Sequence, residues 1–130
     1  MPNFEPPELR CIVVDDHESV RNAVCMQLSR LGWAKVVASA SDGEQALALI
    51  TEHVPDVAIL DGRMPHKTGF EVIREFRARA LPTLGVLFSA LPSDGNEQLA
   101  REVGAHAFLA KSNGMGPLCD VLREIRQAST

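Results

Sequence analysis

Asp56-Val57-Ala58-Ile59-Leu60-Asp61-Gly62-Arg63-Met64-Pro65 decides how the rest of the chain is read. Val57 to Leu60 is apolar at every position, bounded by Pro55 before it and Gly62 after it. That is the pattern of a strand buried on both faces of a parallel sheet. Asp61 stands where the strand ends. An acid there is either a cap or turn former, a common use of Asp, or a reactive carboxylate held at the rim of a rigid sheet. A second site favours the latter. Leu9-Arg10-Cys11-Ile12-Val13-Val14 has the same buried-strand pattern and runs straight into Asp15 and Asp16. Two parallel strands that both end in acids bring those acids together.

Working outward, the first strand is expected over 9–15. A helix follows over 18–31, with Val20, Val24, Leu28 and Leu31 on one face and Gly32 as its stop. A second strand covers 33–38. A second helix covers 43–54, with Ala46, Leu47, Ile50 and Val54 as its inner stripe and Pro55 closing it. Thr68 caps a third helix in which Gly69, Ile73, Phe76 and Ala80 share a face while Arg74, Arg77 and Arg79 point to water. A fourth strand, 84–88, ends at Ser89-Ala90. The fourth helix begins near Ser93 and runs to about 103. Its first turn holds Asp94, Gly95 and Asn96, weak helix formers, so it is expected to be the least stable helix. A fifth strand, 107–110, leads to Lys111, and Gly116-Pro117 opens a last helix with Leu118, Val121, Leu122 and Ile125 inside. Strands alternating with helices imply right-handed βα crossovers and an α/β fold, a doubly wound five-stranded parallel sheet with helices on both faces. Residues 1–8, with Pro2, Pro6 and Pro7, read as a flexible arm, and 9–128 as one domain.

A chain of 130 residues suits a single core. A formal charge of -4 without a Lys/Arg cluster argues against direct nucleic-acid binding. No apolar run approaches the ~20 residues of a membrane helix, and the N-terminus lacks a signal-peptide core, so a cytoplasmic protein is expected. Cys11, Cys25 and Cys119 are odd in number and widely spaced, and read as buried small hydrophobes. His17, His53, His66 and His106 show no metal-ligand spacing. His17 follows the acid pair, within reach of a pocket mouth, but a role at the helix start is favoured.

Ligands of open parallel sheets bind beyond the carboxyl ends of the strands. This chain puts Asp15, Asp16, Asp61, Ser89 and Lys111 there. Carboxylates gathered so closely repel by about 4 kcal/mol per pair at ~4 Å and an effective dielectric near ~20. A cation is therefore expected. Lys111 supplies one charge, and an all-oxygen cluster suits Mg²⁺. Carboxylates, Mg²⁺, a lysine and a hydroxyl are the parts for phosphoryl transfer to an aspartate. Asp61, alone on the central strand, is the better nucleophile candidate, and the adjacent Asp15-Asp16 pair is arranged like metal ligands.

Val13-Val14-Asp15-Asp16, then Leu60-Asp61-Gly62-Arg63-Met64-Pro65 with Gly69, then Phe88-Ser89-Ala90, then Gly104-Ala105-His106-Ala107-Phe108-Leu109-Ala110-Lys111 together resemble the receiver domain of response regulators in two-component signalling, the CheY-like superfamily. The resemblance covers residues 9–127 and implies a flavodoxin-like strand order 2-1-3-4-5 with five helices. It implies that Asp61 is phosphorylated by a sensor histidine kinase or phosphotransfer protein. Asp16 and Asp61 would bind Mg²⁺ directly, Asp15 through water, and the main-chain carbonyl of Arg63 would complete the protein ligands. Ser89 and Lys111 would hold phosphoryl oxygens, and Phe108 would be the rotating aromatic coupled to Ser89. Readout, including a homodimer contact, would use the face of helix four, strand five and helix five, toward an output domain or effector outside this chain. The chain ends with helix five, so it is either a complete single-domain regulator or a receiver from a longer protein.

Four positions depart from the commonest family pattern. Ser112 follows Lys111 where proline is frequent, and family members often have a cis bond there, which for a non-proline residue costs ~2.5–4 kcal/mol. Phe108 replaces tyrosine and is otherwise plain core. Leu91-Pro92 tightens the loop into helix four. Arg63 either approaches the phosphoryl group or lies in solvent. Ser89 is alternatively a cap, and Lys111 a solvated strand end. Two other functions compete with a signalling domain that is not a dedicated enzyme: a phosphorylation-independent pseudo-receiver, and a small Mg²⁺-dependent aspartyl-phosphate phosphohydrolase, for which Gly62-Arg63 supplies no general acid. A flavin or nucleotide carrier lacks its Gly-rich loop, so no organic cofactor is expected.

Overall fold

Side chains alternate along each strand, so β1 (Leu9–Val14) sends Cys11 and Val13 into one apolar cluster and Ile12 and Val14 into another. The same split divides Val57 and Ile59 from Ala58 and Leu60 on β3 (Val57–Leu60), a strand buried at all four positions. Both strands are therefore covered on both faces, as their unbroken apolar runs require. The computed structural model describes residues 7–90 and 94–128. The remaining strands are β2 (Ala34–Ala40), β4 (Leu84–Ser89) and β5 (Ala107–Ala110). All neighbours pair in parallel in the order β2-β1-β3-β4-β5, as the family resemblance implied. The helices are α1 (Glu18–Ser29), α2 (Gly43–His53), α3 (Gly69–Ala78), α4 (Asp94–Val103) and α5 (Met115–Ala128), with a 3-10 turn over Lys111–Asn113. Helices α1 and α5 cover one face of the sheet through Val24, Leu28, Leu118, Leu122 and Ile125. The other face is covered by α2, α3 and α4 through Ala46, Ile50, Ile73, Phe76 and Ala100.

Local signals set several helix ends. Asp42 accepts the Gln45 amide at 2.8 Å to open α2. Thr68 and Glu71 close a reciprocal capping box at the start of α3. Gly32 adopts φ 78 after α1, as expected of a helix stop.

Several expectations are corrected. Val54 does not join the inner stripe of α2; it is 38% exposed and left-handed at φ 41, because Pro55 disfavours right-handed helical backbone at the preceding residue. Ala80 likewise lies beyond α3, exposed at φ 57, and the inner face is filled instead by Phe70, Val72, Ile73 and Phe76. Helix α5 starts at Met115, one residue before the expected Gly116, and the 3-10 turn ahead of it was not foreseen. Only Cys11 is a fully buried thiol, pushed up to about 12 by burial, whereas Cys25 and Cys119 are partly exposed. All described peptide bonds are trans, including Lys111–Ser112. The expected arm, apart from exposed Pro7 and Glu8, and the Leu91-Pro92 and Ser93 readings lie outside the described residues. Among the described residues no helix is long and apolar enough to cross a membrane.

Candidate functional site

Parallel register carries the ends of β1 and β3 to the same edge of the sheet, where Val14 pairs with Leu60 and the Asp61 amide donates to the Val14 carbonyl at 3.0 Å. Asp15 and Asp61 are therefore neighbours by backbone construction. Both are buried, at 4% and 6% exposure. Register between β4 and β5 then aligns Ser89 with Ala110, so the chain enters Lys111 beside the same edge.

The Lys111 ammonium joins the two buried acids. Its Nζ donates to Asp15 Oδ2 at 2.5 Å and to Asp61 Oδ2 at 3.1 Å. The solvated-strand-end reading of Lys111 is thereby excluded. Burial works against the Lys111 charge, yet the hydrogen bonds and charges of Asp15 and Asp61 outweigh it and hold the ammonium above the ordinary lysine range. Burial also pushes the Asp61 carboxyl above its usual range, against the opposing pull of Lys111 and the Arg63 amide, which donates to Oδ1 at 3.3 Å. One ammonium thus leaves Asp61 short of compensation.

Asp16 is more exposed and faces the same space, and His17 turns its ring toward the acid pair. His17 Nδ1 lies 3.3 Å from Asp15 Oδ1 and 3.2 Å from Asp16 Oδ1. His17 occupies the position preceding α1, but its side chain makes no capping hydrogen bond. Of the two roles the sequence offered, the ring takes the one at the pocket mouth, while the backbone of His17 keeps the place at the helix start. Ligand atoms of Asp15, Asp16, His17 and Asp61 all lie within 4.8 Å of one another. Oxygen donors so disposed, beside an undercompensated carboxylate, fit a hard divalent cation.

A cavity of about 720 Å³ opens on this cluster and is lined by Asp16, His17, Asp61, Gly62, Arg63 and Ser89, with Phe70 and Leu99 on its apolar side. Ser89 is buried at the end of β4, and a Cβ at Gly62 would stand 3.3 Å from its hydroxyl, so the hydroxyl lies directly beside the residue after Asp61. Arg63 is exposed at the cavity wall. Phe108 is not among the residues lining this cavity. It is half-buried behind Phe70, ring centroids 6.2 Å apart, and packs against the core on the α4 side. Phe70, which also reaches the cavity, was not singled out from sequence, and Arg74, expected only to point to water, is exposed but lines the cavity as well.

Close approach of α3 holds the nucleophile candidate's backbone. The Gly69 amide donates to the Gly62 carbonyl at 3.2 Å, and a Cβ at Gly69 would sit 2.3 Å from the Asp61 carbonyl oxygen and 2.9 Å from Leu87 Cδ2. Gly69→Ala is accordingly expected to lower stability by about 3 kcal/mol, the upper end of ordinary overpacking, and the melting temperature by about 10 °C. Thermal unfolding checks it, and an unchanged midpoint would show that α3 can withdraw freely.

The family model for the response regulator receiver domain matches residues 11–123. The chain is 42% identical over 113 residues to the "Probable transcriptional regulatory protein NarL" of Mycobacterium tuberculosis, covering 87% of this chain and 52% of that protein. It is 33% identical over 129 residues to the nitrate/nitrite response regulator protein NarL of Escherichia coli, covering 99% of this chain and 57% of the relative. The chain therefore spans about half the length of these relatives. The solved signal receiver domain of NarL from M. tuberculosis superposes with a TM-score of 0.83 at 38% identity, covering 91% of this chain and 98% of that one. Motif order, strand order, the convergent acids and these matches agree: the chain belongs to the receiver domain family of two-component response regulators.

Proposed function

We propose that Asp61 accepts a phosphoryl group from the phosphohistidine of a sensor histidine kinase or phosphotransfer protein, in a reaction that requires Mg²⁺. The observation that carries this reading is the single ammonium of Lys111 shared between two buried carboxylates from separate strands. An Asp61 carboxylate oxygen attacks phosphorus, the P–N bond to the donor imidazole breaks, and an acyl phosphate forms on the side chain. Asp16 and Asp61 would hold the cation directly and Asp15 through water, with the Arg63 carbonyl completing the protein ligands. When bound, Mg²⁺ offsets negative charge on the transferring group. Lys111 pairs with one phosphoryl oxygen, and the Ser89 hydroxyl donates to another. Buried walls keep both donors oriented.

Consequences spread from Ser89 and Phe108 into the face formed by α4, β5 and α5, a local charge and hydrogen-bond event biasing a surface. That face is the proposed site for a homodimer contact or for an output domain. The longer Mycobacterium tuberculosis relative, named as a probable transcriptional regulatory protein, favours an output domain beyond residues 9–128, the span proposed as the receiver unit. Arg63, exposed at the cavity wall, would alter the lifetime of the phosphoryl group. Incubation with acetyl phosphate and Mg²⁺ is expected to add one phosphate per chain, and chelator is expected to suppress it by at least about tenfold. Equal labelling with and without chelator would remove the metal from the mechanism.

A further inference from the structure

The ring of His17 is the part of the acid pocket that phosphoryl transfer leaves unused. Its Nδ1 stands 3.2 Å from Asp16 Oδ1 and 3.3 Å from Asp15 Oδ1. Ligand atoms sharing one ion at ~2.1 Å are about 3.0 Å apart when octahedral neighbours and about 3.4 Å apart when tetrahedral. Both separations fall between those values. Asp15 Oδ2 and Asp61 Oδ2 are taken by Lys111, whereas the oxygens facing His17 are Oδ1 of Asp15 and of Asp16, on the cavity side that Asp16, His17 and Asp61 line. The His17 amide also donates to Asp15 Oδ1 at 2.9 Å, which ties the backbone beneath the ring to the same carboxylate. The ring side chain is 69% exposed, so ions reach it from solvent.

We infer that His17 is a metal ligand of this pocket, giving it a nitrogen donor through which it selects first-row transition dications that accept imidazole, such as Ni²⁺ and Zn²⁺, over Mg²⁺. The inference rests on the reading of Asp15, Asp16 and Asp61 as a cation site and adds the donor that sets its preference. Imidazole suits Ni²⁺ and Zn²⁺, whereas Mg²⁺ demands oxygen and keeps its waters. A bound transition ion of this kind places the same carboxylates under a different coordination preference, so metal supply becomes an input to the signalling domain.

The test is calorimetric titration of the full chain and of His17→Gln with Ni²⁺ and separately with Mg²⁺, joined to nitrogen-15 spectra of the histidine rings during Zn²⁺ addition. His53, His66 and His106 are the internal references. The expected result is a loss of Ni²⁺ affinity of at least about tenfold in His17→Gln, the size of a disturbed ligand shell, with Mg²⁺ affinity moving by less than about twofold. The His17 Nδ1 resonance is expected to shift with Zn²⁺ while the other three rings do not. Zn²⁺ that moves the Asp61 amide but leaves the His17 ring unmoved overturns the inference and leaves the cation site standing. Equal losses for Ni²⁺ and Mg²⁺ in the variant also overturn it, because they make His17 a positioning residue. Failure of both ions to bind the unaltered chain would remove the underlying site together with its extra ligand.

Discussion

Asp61→Asn is expected to abolish phosphate uptake from acetyl phosphate and Mg²⁺, a loss of at least about a hundredfold, because the amide oxygen cannot form a stable acyl phosphate. Asp15 and Asp16 share the pocket, so the experiment also decides among three acids. Asp15 has both oxygens engaged, Oδ2 by Lys111 and Oδ1 by His17, and Asp16 stands at the exposed mouth. Stoichiometric acid-labile phosphate persisting in the variant would move the acceptor to one of them. The same variant is expected to be more stable than the unaltered chain in chelator at neutral pH, by several degrees in melting temperature. Burial raises the Asp61 pKa in the folded state above its ordinary 3.8, so folding favours the protonated form. The stabilising contribution of that proton is complete below the unfolded value and disappears as pH rises through the folded one. Asparagine stays neutral throughout and its oxygen can still accept from Lys111. The advantage should therefore be largest at neutral pH and close on acidification.

Lys111→Met is expected to act in the opposite direction. It leaves Asp15 and Asp61, both nearly buried, facing each other without their cation, and removing one member of a buried ionic cluster typically costs about 3–5 kcal/mol. Destabilisation of about 3 kcal/mol is expected in chelator at pH 7, measured by denaturant unfolding, together with loss of most phosphate uptake. Both alkaline and acid conditions should narrow the gap. Lys111 has a raised folded pKa, so its contribution is complete below the ordinary lysine value and fades as pH rises through the folded one. At the acid end, protonation of Asp61 removes the repulsion. Millimolar Mg²⁺ should recover part of the lost stability, since any ion that binds only the folded state stabilises it by mass action. A variant equally stable at every pH and insensitive to Mg²⁺ would mean that Lys111 and the acids are not coupled.

Fold and site were legible to different depths. Buried parallel strands advertise themselves because both of their faces must be apolar, and β1 and β3 end where their runs meet Asp15 and Asp61. The Thr68 cap and the stop at Gly32 were likewise local and read in advance, whereas the reciprocal bond from Glu71 appeared only with the structure. Val54 and Ala80 misled because period alone counts a residue as inner even after the helix has ended; backbone conformation at Pro55 and beyond Arg79 turned them outward. Phe108 was assigned to the switch from its motif, while its ring sits beside Phe70, a neighbour supplied by α3 from far along the chain.

What the amino-acid sequence determined alone is the list of parts: which runs must be buried, hence a doubly wound sheet, and which chemical groups stand at the strand ends. A run of side chains fixes burial because transfer from water acts on each residue separately and adds along the chain. Only the tertiary structure decided which of those groups share a charge. Parallel register set Asp15 beside Asp61, a 3-10 turn aimed Lys111 at both, and the ring of His17 turned from helix cap to acid pair. Electrostatic energies depend on separation and burial together, and neither quantity exists until the strands have paired.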